Sequence, residues 1–138
     1  MVEMELNKIV IDEKRHDQLI VLKEKDGERV LPIVIGLHEA SAIKLKISGF
    51  DPPRPLTHDL LHNIIEHLQA KIEKIIIDKL EENTFHAKLV VKTAGGETKT
   101  IDARPSDSIA LAVRAHVPIF VEDAIINQSE SFNQDKQE

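Results

Sequence analysis

The chain has 138 residues, of which 41% are hydrophobic, a length and composition that suit one compact domain with its own core. It contains no cysteine and no apolar run near the ~20 residues that a membrane helix needs, which excludes disulfides, thiolate chemistry and a membrane span and favours a soluble cytoplasmic protein. The formal net charge is -6 without a basic stripe, which excludes the broad positive surface of strong nucleic-acid binders and leaves local or weak, salt-sensitive contact.

The first half of the chain predicts three strands followed by a helix. The strands are MELNKIVIDEK, QLIVLKEK and ERVLPIVIG, and Asp26-Gly27 is a hairpin signal between the second and the third. The segment LHEASAIKLKISG has the period of a helix, with Gly49 as its stop. The proline-rich segment FDPPRP is predicted to be a stiff link to the next element.

The next helix, predicted from Thr57 to about Ala70, has the clearest amphipathic pattern in the chain. Its apolar residues form one broad face, made of Leu60, Leu61, Ile64, Ile65 and Leu68. Three more strands follow, IEKIIIDKL, TFHAKLVVKT and ETKTIDA. The third helix, SDSIALAVRAHV, is apolar nearly all round except at Arg114, so it is predicted to be buried on more than one side. PIFV is a final short strand.

An internal repeat becomes visible when the two halves are offset by 66 residues. Ile9-Val10-Ile11-Asp12 then falls on Ile75-Ile76-Ile77-Asp78, and Arg104 falls opposite His38. Each half consists of three strands and a helix, and RPLTHDLL begins an extra helix between the two halves.

These elements predict one α/β (mixed α+β) domain over residues 1–124. The hairpins require antiparallel pairs, whereas the step from ETKTIDA through the third helix to PIFV needs a crossover and favours a parallel pair. We therefore expect a mixed, mainly antiparallel sheet with three main helices packed on it. Residues 125–138 are predicted to be a frayed polar C-terminal tail.

Two similar phrases stand at predicted helix starts, RPLTHDLL (54–61) and RPSDSIAL (104–111). In a structural interpretation the hydroxyl residues, Thr57 and Ser106, are N-caps. The aspartates that follow them lie in the first turn, where the helix dipole stabilises their negative charge. The prolines hold the entering chain extended, and each arginine pairs with a neighbouring aspartate.

A functional interpretation uses the same residues differently. A helix N-terminus offers free N–H donors, and Arg54 or Arg104 beside one would form an anion clamp. The aspartates would help if a divalent cation lay between carboxylate and phosphate. Asp102 precedes Arg104 by two residues, so the second phrase predicts a local cluster with Ser106 and Asp107.

The histidines of HDLLH suggest a second kind of site. His58 and His62 stand at i and i+4, and Glu66 extends the row by another turn. This row resembles the H-E-x-x-H zinc helix with aspartate in the glutamate position, but it needs a third ligand from elsewhere. A solvated polar face is the simpler interpretation.

The segments LPIVIGLHEASAI, RPLTHDLL and DARPSDSIALAVR, in this order and followed by PIFV, resemble the bifunctional nuclease domain family over about Met1 to Ala124. The resemblance implies a mixed α/β domain that assembles as a homodimer, and plant members are credited with degrading both DNA and RNA. The prominent positions of the family match Gly36, Glu39, Arg54, Pro55, Thr57, His58, Asp59, Asp102, Arg104, Pro105, Ser106, Asp107 and Arg114.

The leading hypothesis is a nuclease that hydrolyses phosphodiester bonds of DNA or RNA with the help of a divalent metal ion, Mg or Mn. The candidates for holding the metal or activating water are Glu39, Asp59, Asp102 and Asp107. The candidates for binding substrate are Arg54, Thr57, His58, Arg104, Ser106 and Arg114. The alternative is a non-catalytic homodimeric module, binding or regulatory, in which the same arginines and aspartates form salt bridges at helix starts.

Overall fold

The computed structural model describes the backbone of residues 1–137 and the side-chain surroundings of residues 1–130. It confirms the predicted α/β class with a mixed, mainly antiparallel sheet. The elements in chain order are β1 (Val2–Val10), β2 (Asp17–Glu24), β3 (Val30–Gly36), α1 (Leu37–Ile47), α2 (Thr57–His67), β4 (Lys71–Glu81), β5 (Thr84–Lys92), β6 (Thr98–Ala103), α3 (Pro105–Ala115), β7 (Ile119–Val121) and α4 (Asp123–Gln137). Over the described residues, none of these helices is long and apolar enough to cross a lipid bilayer.

The seven strands form one sheet in the order β3-β2-β1-β7-β4-β5-β6. Each half of the chain contributes an antiparallel meander of three strands, and β7 lies between the two meanders. The crossover through α3 brings β7 parallel to β4 and antiparallel to β1. The predicted parallel pair therefore exists, but its second member is β4 and not β6, because β7 fills the gap between the halves.

The structure supports the internal repeat and corrects its register. A register shift between Leu6 and Lys8 in β1 recurs between Ile72 and Lys74 in β4, which stand 66 positions later. Helix α3, however, begins 68 positions after α1. The residue opposite Arg104 is therefore Gly36 and not His38, because the offset is already 68 positions between the starts of β3 and β6.

Helix α3 is the centre of the domain. It contacts α1, α2, β4 and β5, and its residues Ile109 and Ala110 are fully buried. This confirms the prediction from its nearly continuous apolar sequence. Arg114, the polar exception in this sequence, is itself buried and only 6% exposed.

The prediction of a frayed tail over residues 125–138 is wrong, because the helix α4 extends from Asp123 to Gln137. Ile126 is fully buried and Ile125 is 5% exposed, so the start of this helix completes the core. Arg29 anchors it from outside through Asp123 and Asn127. The signal in the sequence was weak, since two adjacent isoleucines in a polar segment do not reveal a helical period.

Candidate functional site

The starts of α2 and α3 are not capped by hydroxyl side chains. The N-cap residues are Leu56 and Arg104, and neither makes a side-chain capping bond. Thr57 and Ser106 lie one residue or two inside their helices, so the prediction that they are N-caps is wrong. Thr57 directly follows the N-cap Leu56, and Ser106 follows Pro105, which takes the first position of α3, where its missing N–H has no cost.

An acidic residue occupies the third position of each of the first three helices instead. These residues are Glu39 in α1, Asp59 in α2 and Asp107 in α3. Negative charge in the first turn is favourable because the helix dipole is positive there. In α2 the acid also acts as a cap, since the Leu56 backbone N–H donates to Asp59 Oδ2 at 2.9 Å. The three acids differ in the basic groups that they meet.

The two phrases RPLTHDLL and RPSDSIAL meet in space through His58 and Asp107. His58 Nε2 lies 2.9 Å from Asp107 Oδ1, although the two residues are 49 positions apart in the chain. The Asp107 carboxylate also accepts two bonds from Arg104, from Nε at 2.8 Å and from Nη2 at 3.2 Å. One carboxylate thus joins an imidazole from α2 to the guanidinium at the start of α3.

Glu39 brings the start of α1 into the same cluster. Its Oε1 lies 3.6 Å from Arg104 Nη1. The side chain of Arg104 is 65% exposed, whereas that of His58 is 12% exposed. With a neutral imidazole, the cluster of two carboxylates and one guanidinium has a net charge of about -1, so its negative charge is largely balanced.

The Asp107 carboxyl is held in its ionised form. Burial by itself would raise its pKa, but the hydrogen bonds from Arg104 and His58 outweigh burial and lower the pKa below its ordinary value. An ionised carboxylate only accepts hydrogen bonds, so the proton in the contact with His58 belongs to Nε2. The other ring nitrogen, Nδ1, then has a free lone pair in neutral His58 and makes no hydrogen bond within residues 1–130.

This cluster lines an open groove of about 880 Å³ between the helix starts and β6. The polar lining of the groove consists of His38, Glu39, Ser41, Thr57, His58, Asp102, Arg104 and Asp107. Its apolar lining includes Leu45, Leu61, Ile65 and Ile101. Six of the ten predicted site residues are therefore brought together in one groove.

Arg114 and Asp59 form a separate cluster outside this groove. Arg114 Nε donates to Asp59 Oδ1 at 2.7 Å, and Nη1 donates to the Ala110 carbonyl at 2.8 Å. A longer contact of 3.5 Å joins Nη2 to the Ala42 carbonyl in α1. These contacts join α3 to α1 and α2, and the Arg114 side chain that makes them is 3% exposed.

The environment of Asp59 also keeps it ionised. Burial would raise the pKa of its carboxyl, but the Leu56 N–H and the Arg114 guanidinium lower the pKa below its ordinary value. Asp59 lines a different groove from His58, together with His62. At the start of α2, Asp59 therefore accepts hydrogen bonds from both the Leu56 N–H and Arg114.

The remaining predicted residues lie apart from the cluster. Arg54 is exposed and has no ion pair within residues 1–130. Ser106 is buried and lines another groove, between β3 and the β4–β5 turn. Asp102 lines the groove but is 77% exposed and pairs with Lys88 at 3.0 Å, an interaction that lowers the pKa of its carboxyl.

The residues present do not fit a metal ion held by the protein. Within the described part of the chain, no three His, Asp or Glu side chains are grouped as metal ligands. Glu39 and Asp107 already form ion pairs with Arg104, and Asp59 forms one with Arg114. The two histidines of HDLLH also do not converge on one metal position. His62 pairs with Glu66 at 3.0 Å, whereas His58 faces Asp107.

His38 is a groove residue that sequence reasoning missed. It occupies the second position of α1, directly before Glu39, and His58 occupies the second position of α2, directly before Asp59. The shared pair of histidine and acid at two helix starts was the available signal. The Arg-Pro letters of RPLTHDLL and RPSDSIAL do not reveal this pair, because it is defined by helix position and α1 is not preceded by Arg-Pro.

Comparison with known proteins shows which family and which proteins this chain resembles. The family model described as "Bifunctional nuclease domain" matches residues 20–134. "Uncharacterized protein Rv1829" of Mycobacterium tuberculosis (strain ATCC 25618 / H37Rv) is 40% identical over 129 residues, which are 94% of this chain and 76% of that protein. "Bifunctional nuclease 2" of Oryza sativa subsp. japonica is 31% identical over 114 residues, 80% of this chain and 35% of the plant protein. "Bifunctional nuclease 1" of Arabidopsis thaliana is 27% identical over 105 residues, 74% and 32% of the two chains.

Proposed function

The chain belongs to the bifunctional nuclease domain family, and from this premise we propose that it cleaves phosphodiester bonds of nucleic acid in the groove that contains His58, Asp107 and Arg104. The observation that supports this proposal is the 2.9 Å contact between His58 and Asp107 beside an exposed guanidinium. An imidazole oriented by a carboxylate, next to a phosphate-binding group, is an arrangement suited to acid–base catalysis on a phosphodiester.

In the proposed mechanism His58 is the general base. Asp107 accepts the hydrogen bond from Nε2, so Nδ1 takes a proton from the attacking water. The water oxygen forms a bond to phosphorus, and the bond from phosphorus to the leaving oxygen breaks. Protonated His58 then returns the proton through solvent to the leaving oxygen. The exposed guanidinium of Arg104 stabilises the charge on the non-bridging oxygens.

No metal ion takes part in these steps. The sequence-based hypothesis expects Mg or Mn between carboxylate and phosphate, but the carboxylates of the groove already have basic partners. A cation brought by the nucleic acid would have to compete with Arg104 for Asp107. The proposed chemistry therefore depends on His58, and the effect of a chelator is measured together with the variants.

The test is a nuclease assay of highly purified protein on labelled RNA and DNA, with magnesium, manganese or chelator. We expect His58→Gln to lower kcat/KM by about 100-fold or more, the usual contribution of a general base. Asp107→Asn is expected to lower kcat/KM by about tenfold or more, because the amide no longer fixes the imidazole tautomer. Arg104→Gln is expected to weaken transition-state stabilisation to a similar extent.

The matched control is His62→Gln, which changes another histidine of α2, one turn later and in a different groove. This variant is expected to keep wild-type activity. Equal activity of wild type, His58→Gln and Asp107→Asn would point to a contaminating nuclease and would remove the proposed site. Circular dichroism of each variant checks that the fold is retained.

A second candidate function is a non-catalytic binding or regulatory module. The observation that favours it is the paired state of the basic groups, since Arg104 contacts both Asp107 and Glu39 and Arg114 contacts Asp59. Under this hypothesis the salt bridges only fix the helix starts. Purified protein without activity on any RNA or DNA, under all three metal conditions, would select this function.

We also propose that the protein forms a homodimer, as the family resemblance implies. The supporting observation is an outer stripe on α2, which we define as Leu60, Ile64 and Leu68, with exposures of 53%, 46% and 72%. A continuous apolar stripe of this kind is unfavourable in water and typical of an interface. A second copy of the chain, packed through the same stripe, would cover it with twofold symmetry. The expected cytoplasmic location stays a prediction.

A further inference from the structure

The groove combines two surfaces that suit different parts of one ligand. Its charged lining includes one exposed guanidinium, Arg104, beside the imidazole of His58. Its apolar lining contains side chains that are open to solvent, since Leu45 is 36% exposed, Leu61 41% and Ile101 47%. Such exposure in a concave surface is typical of a ligand site and not of a core.

The broad apolar face of α2 is divided between this groove and the outer stripe. Leu61 and Ile65 line the groove, whereas Leu60, Ile64 and Leu68 do not. The helical spacing explains the division, because residues four apart lie on the same side and adjacent residues are turned by about 100°. The groove surface therefore stays available when a second copy covers the outer stripe.

The charges of the groove disfavour a ligand held mainly through its phosphates. Its acidic lining residues are Glu39, Asp102 and Asp107, against one guanidinium. Duplex binding requires many phosphate contacts by basic side chains, and single-strand binding gains affinity from the faces of unpaired bases. One phosphate on Arg104 and one base on the apolar lining use the available groups without further positive charge.

We propose that the substrate of this site is single-stranded nucleic acid, with an unpaired base against Leu61 and Ile101 and its neighbouring phosphate on Arg104. This inference rests on the proposed function and adds the substrate class to it. A paired base is stacked and hydrogen-bonded inside a duplex, so it cannot present its face to a wall of aliphatic side chains. The groove of about 880 Å³ is large enough for a nucleotide.

The first experiment compares three probes with the wild-type protein. They are a labelled single strand, the same strand annealed to its complement, and the same strand with one abasic site. We expect kcat/KM for the duplex to be at least about tenfold below that for the single strand, and cleavage beside the abasic site to be lost. The expected ratio corresponds to the burial of one base on an apolar surface.

The second experiment measures the two apolar side chains directly. Leu61→Ser and Ile101→Ser are each expected to raise KM by about fivefold to tenfold with little change in kcat, because they remove uniform binding and no catalytic group. The matched control is Val10→Ser, which changes a side chain that is 46% exposed on β1 and outside the groove. It is expected to leave both constants unchanged.

A binding measurement separates recognition from catalysis. Fluorescence anisotropy of the labelled single strand on the His58→Gln variant is expected to give a plot of log affinity against log salt with a slope of about -0.7, the value for one phosphate. A slope several times steeper would overturn the inference, since it would mean that phosphates dominate. Serine substitution at Leu61 on this background is expected to weaken binding by about fivefold to tenfold.

The outcomes distinguish the inference from the function on which it rests. If the wild-type protein cleaves no probe, the proposed function fails. If it cleaves duplex and single strand equally well, or if Leu61→Ser and Ile101→Ser behave as wild type, the nuclease function stands and the single-strand inference is overturned. Loss of duplex cleavage with retention at the abasic site would also overturn the role of the base.

Discussion

Two arginines with carboxylate partners have different roles because they are buried to different extents. Arg104 is 65% exposed, so its pair with Asp107 is screened by water and contributes little to stability. Arg114 is 3% exposed and its donors meet Asp59 and two carbonyl groups. The exposed arginine remains available to a ligand, whereas the buried one holds α2 and α1 against α3.

Replacement of the buried arginine tests this difference. Arg114→Met is expected to lower the free energy of unfolding by about 3 kcal/mol, since it leaves the Asp59 carboxylate and a carbonyl without their partner. Arg104→Met, the matched control, is expected to change it by less than about 1 kcal/mol. Urea denaturation at neutral pH measures both. Equal effects of the two substitutions would contradict the assignment of Arg114 as the structural arginine.

The lowered pKa of Asp59 predicts the direction in which stability depends on pH. A carboxyl whose pKa is lower in the folded than in the unfolded chain contributes stability above its ordinary value of 3.8, and this contribution is lost as the pH falls through the folded pKa. The difference in unfolding free energy between wild type and Asp59→Asn should be constant from about pH 7 to 5 and shrink below about pH 4. A difference that persists unchanged to about pH 2 would contradict this linkage.

At the scale of elements, α2 is unusual because its strong amphipathic pattern does not bury any of its residues. The helix lies on the surface, held by Asp59 and Arg114, with its apolar residues divided between the groove and the outer stripe. A sequence pattern reports which residues share a face, but it does not report whether the core, a ligand or another chain covers that face.

A charge in the outer stripe tests the proposed homodimer. Ile64→Glu is expected to convert a dimer into a monomer, because a twofold interface would place two carboxylates close together in an apolar surface. Light scattering after size-exclusion chromatography measures the mass. Val10→Glu, an exposed apolar position on β1, is the control and should remain dimeric. A monomeric wild-type protein, or a dimeric Ile64→Glu variant, would exclude this interface.

At the scale of the whole molecule, the site is a product of the repeat and of the helix inserted into it. Helices α1 and α3 are equivalent in the two halves, and their first-turn acids, Glu39 and Asp107, both contact Arg104. Helix α2 has no counterpart and supplies His58. The repeat alone would give two acids around one arginine, and the inserted helix adds the group that can exchange a proton.

The sequence by itself determined the strands, the first three helices and the fold class, because hydrophobic period, glycine and proline act over a few residues. It also indicated most of the residues around the groove, since Arg-Pro and acid at a helix start are local patterns. Tertiary structure alone decided which of them meet. His58 and Asp107 are 49 positions apart, and Arg114 became buried through contacts with α1 and α2. No local pattern encodes such distances, because they follow from the packing of the helices and from the place of β7 between the two meanders.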